Sequence, residues 1–193
     1  MKNSRFNFSV LLALVVFVCS TVHAQKIVHA VSGVVTAIDP AANSITIKTN
    51  DGSDGSFQYR KSGHVDLAFD KEVRNGTVEP ASFNKIGDNV IAYYVDDRGD
   101  VNRTIVALKD FGPTPLESVS GTVVKAGRHM LVLKTDKGGA AESFSIAKDA
   151  SAETPSGVVS GSHFDAQQGD HLTLRYTEAN GSKVAQFIRN TFG

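Results

Sequence analysis

Cysteine and tryptophan are nearly missing from this chain: one Cys, Cys19, and no Trp occur in 193 residues. If Cys19 is lost with a leader, the remaining chain has no disulfide, no thiolate metal site and no Cys nucleophile, so its core alone must hold it together. Charge of one sign is missing too. Lys and Arg number 20 against 20 Asp and Glu. Without Lys2 and Arg5 the basic side chains fall to 18, a net charge near −2. That balance carries no overall footprint for nucleic acid or an anionic membrane. Only one long apolar run exists, Val10 to Val18, too short to span a bilayer, which takes about 20 apolar residues.

What is present begins with that run. Lys2 and Arg5 precede it, no acid interrupts it, and Val22 and Ala24 supply small residues before a cut ahead of Gln25. A basic start, a short apolar centre and a small-residue exit describe a secretory signal. Residues 1–24 are therefore expected to be removed, and the mature protein is expected to be periplasmic or secreted. Val16-Phe17-Val18 suits lipidation of Cys19 poorly, so Cys19 reads as an apolar leader residue, with a lipoprotein as the alternative.

The rest is built twice. Val31-Ser32-Gly33-Val34-Val35 returns as Val119-Ser120-Gly121-Thr122-Val123. Ser44 to Thr49 matches Met130 to Thr135, with Ile45 and Ile47 standing where Leu131 and Leu133 stand. Ser56 to Tyr59 matches Ser143 to Ile146. Gly87-Asp88 and Gly169-Asp170 then launch Val90 to Val95 and Leu172 to Thr177. Alternation of period two with turns every ten residues or so argues for strands in small barrels or sandwiches. Three strands, a long connection and two more strands is the order of an OB-fold. The expectation is all-β: two tandem five-stranded OB-like barrels, with an SH3-like barrel as the alternative. The first spans 25–112, a Pro-marked linker 113–118, and the second 119–193. A short helical turn is expected within Pro80 to Ile86.

Gly33-Val34-Val35-Thr36-Ala37-Ile38-Asp39, Asn43 to Ile47 and Gly87-Asp88-Asn89-Val90 are similar to exported bacterial OB-like domains of unknown function. More distantly the chain resembles the periplasmic metal-binding chaperones of copper and silver efflux. That family's site uses a His, paired Met residues and a stacking Trp. Here Lys48-Thr49-Asn50 and Lys134-Thr135-Asp136 stand where the His would be, and there is neither a Met pair nor a Trp. The resemblance implies the fold without the ligands.

Candidate sites are few. His129-Met130 has soft-ligand character, with His163 and His171 in the same module as further metal candidates. The plainer alternative is a turn-exposed His beside a core Met. His64, Asp66 and Phe69 place ionisable and apolar groups in the first long connection, 61–86, where Leu67 and Phe69 are equally suited to plugging the barrel. In the strand Val90 to Val95 both faces are apolar, so Ile91, Tyr93 and Val95 point outward and are expected to meet the other module or a partner. The long connections 61–86 and 148–168 differ between copies and are expected to carry specificity. No serine sits in a Gly-x-Ser-x-Gly context, and no acid–base pair marks a hydrolase. The sequence reads as a non-catalytic exported binding or envelope-associated interaction module. It needs no cofactor, binds no nucleic acid, has no membrane span after the leader, and has an unidentified protein or small-molecule partner in the envelope. A copper- or silver-binding chaperone and a hydrolase with an unrecognised site are the alternatives.

Overall fold

The computed structural model describes residues 26–50, 52–60, 70–96 and 103–190. The leader, and the loop candidates His64, Asp66, Leu67 and Phe69, lie outside them. Among the described residues no helix is long and apolar enough to cross a membrane.

The first half contains β1 (Val28–Asp39), β2 (Ser44–Thr49), β3 (Asp54–Tyr59), the short α1 (Lys71–Arg74), β4 (Thr77–Val78), a 3-10 turn at Pro80–Ser82, β5 (Asn89–Asp96) and β6 (Arg103–Asp110). Their pairing runs β3-β2-β1-β5-β6, and β3 closes on β6, with β4 added outside β6. The closing pair is parallel, Phe57 facing Arg103 and Tyr59 facing Ile105, while every other pair is antiparallel.

The second half repeats the circuit with β7 (Glu117–Gly127), β8 (Met130–Thr135), β9 (Glu142–Thr154), β10 (Gly157–Ser160), a 3-10 turn at Gly161–His163, β11 (His171–Ala179) and β12 (Ser182–Asn190). The order is β9-β12-β11-β7-β8, closed by β8 on β9. Again one pair, β12 with β9, is parallel. Two closed five-stranded barrels with the third and fifth strands parallel are OB-folds.

The alternation dictates the cores. Val35, Ile45, Ile47, Phe57, Val90, Ala92, Ile105 and Leu108 fill the first barrel. Val123, Leu131, Leu133, Phe144, Leu172, Leu174 and Ile188 fill the second. The first strand of each barrel carries a bulge, which bends it around the barrel. Register slips between Val35 and Ala37 in β1 and between Val123 and Lys125 in β7. Just before each bulge sits a glycine with no room for a side chain: a Cβ at Gly33 would lie 2.4 Å from the Lys48 carbonyl oxygen, and one at Gly121 2.5 Å from that of Lys134. The matched Val-Ser-Gly segments therefore mark where backbone meets backbone at the coil of the first strand.

Two expectations change in detail. β7 begins at Glu117, inside the expected linker. Residues 148–168 are not one irregular connection, because β9 continues to Thr154 and turns back through β10. The extension of β9 is made of small residues, with Ala150, Ser151 and Ala152 all fully buried. Its burial comes partly from the other barrel.

Candidate functional surfaces

The outward face of β5 is covered jointly by α1 of the first half and by the second barrel. Ile91, Tyr93 and Val95 join Val28, Ala30, Val73 and Ala107 in one buried cluster, and Phe187 of β12 completes it, with Val158 of β10 packed alongside. Of the two occupants expected for this face, the other module is the one present. Ile91, Tyr93 and Val95 are thereby unavailable to an outside partner.

Polar groups ring this cluster. The hydroxyls of Tyr93 and Ser151 share a 3.0 Å hydrogen bond, and burial pushes the Tyr93 phenol far up. Lys109, on β6, donates to Asp149 Oδ2 at 2.8 Å and to the Asp149 carbonyl at 3.0 Å, both on β9. Burial lowers the Lys109 pKa, and the Asp149 hydrogen bond and charge offset part of that. Phe111 lies beneath the ammonium, 5.3 Å from ring centre. Across the seam, Glu153 accepts from the Ala30 amide at 2.8 Å and sits 2.7 Å from His29 Nδ1. Loss of water raises the Glu153 pKa, and the His29 contact pulls it back in part. Asp70 Oδ2, beside α1, accepts from the Ser160 amide at 2.9 Å. None of Lys109, Asp149, Glu153 or Asp70 announces itself in the sequence. The nearest signal is a lysine closing the apolar run Ile105 to Leu108, which reads equally well as a solvated strand end.

The metal candidates are dispersed. His129 is exposed in the β7–β8 turn, and Met130 is 36% exposed rather than in the core, because Leu131 and Leu133 take the inward positions. His171 Nε2 lies 3.0 Å from Asp136 Oδ2. His163 Nδ1 lies 3.4 Å from Asp70 Oδ2, across the seam. Among the described residues His163 is grouped instead with Asp70 and Glu72, their ligand atoms all within 4.8 Å of one another.

The second barrel also has a free outer face. β7 and β8 pair so that Thr122 stands opposite Lys134, Lys125 opposite Val132, and Gly127 opposite Met130. Val132 and Met130 in turn stand opposite Ser143 and Ser145 of β9. From Gly121 to Thr135 the chain holds Lys125, Arg128 and Lys134 and no acid. Lys125, Arg128, Lys134, Val124 and Met130 are all exposed. The matching stretch of the first barrel, Gly33 to Thr49, balances Asp39 against Lys48.

No family model matches the chain, and no curated protein matches it. Among solved structures, one titled drosophila Unr CSD456 is similar over 87% of this chain, at 13% identity and a TM-score of 0.33; the chain spans 63% of that chain's length.

Proposed function

We propose that the protein is a non-catalytic, exported two-barrel binding protein of the envelope, and that its β7–β8–β9 face engages an acidic polysaccharide. The basic, acid-free stretch from Gly121 to Thr135 carries this reading. OB-folds bind oligonucleotides and oligosaccharides on the second and third strands and the loops joining strands one to two and four to five. Here those are β8, β9, the Arg128–His129 turn and the Asn180–Gly181 turn. Three cations on one face raise the local concentration of a polyanion although the whole chain is neutral. Met130, Val132 and Val124 supply apolar contact for sugar ring faces. Single-stranded nucleic acid is disfavoured because base stacking needs aromatic side chains, and Gly121 to Thr135 has none.

The test is retention of the purified protein on immobilised polygalacturonate at low salt. Retention is expected, falling as salt screens the contact. The triple reversal Lys125→Glu, Arg128→Glu, Lys134→Glu should abolish it while leaving the melting midpoint in place, since all three side chains are exposed. Equal retention of the triple variant, or no retention of the wild type, defeats the proposal.

A further inference from the structure

We propose that Asp70, Glu72 and His163 form a site for one zinc-like divalent cation that staples the two barrels together. The site is independent of the polysaccharide face.

Three observations carry it. The first is donor chemistry. An imidazole with two carboxylates is a nitrogen–oxygen set suited to zinc, with room for water at a fourth position. The second is spacing. Zinc bonds of about 2.0–2.1 Å to nitrogen and oxygen at a tetrahedral angle put neighbouring donors about 3.3 Å apart. His163 Nδ1 and Asp70 Oδ2 are 3.4 Å apart, long for a hydrogen bond but fitting that edge. One ligand atom from each of Asp70, Glu72 and His163 lies within 4.8 Å of the other two, so binding a metal requires Glu72 to draw in. The third is lack of other neutralisation. Two carboxylates approach one another here, and among the described residues neither is ion-paired with a lysine or arginine.

The placement says what the metal would do. Asp70 and Glu72 belong to the connection between β3 and β4 of the first barrel, and His163 to the turn between β10 and β11 of the second. Asp70 Oδ2 already takes the Ser160 amide, so one ligand is fixed by the partner barrel before any metal arrives. Binding would then favour the docked arrangement over the separated one by mass action.

The experiment is isothermal titration of the purified protein with zinc chloride, paired with thermal melts. The expected result is one saturable site per chain and a melting midpoint raised by roughly 5 to 10 °C at a hundredfold excess over Kd. Glu72→Gln and His163→Ala, both at exposed positions, should each abolish the saturable isotherm while keeping the metal-free melting midpoint. His129→Ala and His171→Ala should bind as the wild type does. No saturable heat in the wild type, an undiminished isotherm in His163→Ala, or loss of binding in His129→Ala or His171→Ala instead would each overturn the assignment.

Discussion

The Lys109–Asp149 pair should respond unequally to loss of its two members. Lys109 is the buried partner: its side chain is 7% exposed and that of Asp149 37%. Asp149→Ala leaves an ammonium in the seam with only the Asp149 carbonyl, 3.0 Å away, and the Phe111 ring. Removing one partner of a fully buried pair costs about 3–5 kcal/mol. The surviving carbonyl brings the expectation here to about 2–3 kcal/mol. Lys109→Met places apolar volume where the stem already packs, and Asp149 can rehydrate, so the cost should stay below about 1 kcal/mol. The double variant should resemble Lys109→Met, giving a coupling of about 2 kcal/mol. Urea unfolding at neutral pH measures all four proteins, with the slope unchanged. pH supplies a second reading. Lys109 has its folded pKa lowered below 10.5 by burial, and losing Asp149 removes the groups that raise it. Between that lowered value and 10.5 the unfolded chain binds more protons than the folded one, so stability rises with pH. The Asp149→Ala deficit should therefore shrink on going from neutral to alkaline pH. A Lys109→Met variant as damaged as Asp149→Ala, or a deficit indifferent to pH, would refute the reasoning.

Two further outcomes concern the same seam. Ile91→Ala should cost about 3 kcal/mol by opening a cavity at a fully buried site, and should speed amide exchange in β9 and β12 as well as in β5; exchange confined to the first barrel would show the halves to be uncoupled. Glu153 has its pKa raised above 4.5 by burial, so in that window the folded state holds the proton more tightly and the Glu153 contribution to stability is lost as pH rises through the folded value. Glu153→Gln should remove that slope from melting midpoints between acidic and neutral pH, and an unchanged difference between wild type and variant across the range would count against it.

Most of the barrel was legible because its physics is local. Alternation put Ile45, Ile47, Leu131 and Leu133 inside, and β2 and β8 run over the residues expected. Gly33 and Gly121 were visible as repeated letters, but their reason, a carbonyl within a bond length or two of where a Cβ would sit, needs the partner strand. The doubly apolar β5 foretold a covered face, since a solvated strand has no use for Ile91 and Tyr93 together. Other features were hidden by distance or by ordinary appearance. Period two tells which way a side chain points and not which strand lies beside it, so the parallel closures β3–β6 and β9–β12 could not be read directly. The extension of β9 passed for a loop because Lys148 to Thr154 is small and polar, although Ala150 and Ala152 pack into the core of the second barrel while Ser151 faces Tyr93 of the first. Asp70 and His163 are separated by 93 positions, and nothing in either neighbourhood points to the other.

The covering of β5 also sets an order of events. A chain made from its N-terminus has every strand of the first barrel once β6 ends at Asp110, while Phe187, which completes the cluster containing Ile91 and Tyr93, arrives only with β12. In the interval the first barrel has all its strands, but the Ala30 amide, the Tyr93 hydroxyl and the Lys109 ammonium still lack their second-barrel partners and an oily flank stands open, the kind of surface on which partly folded chains stick to one another. The second barrel thus works as a built-in escort for the first, and a chain cut between them would lose a fold's chaperone along with half its mass.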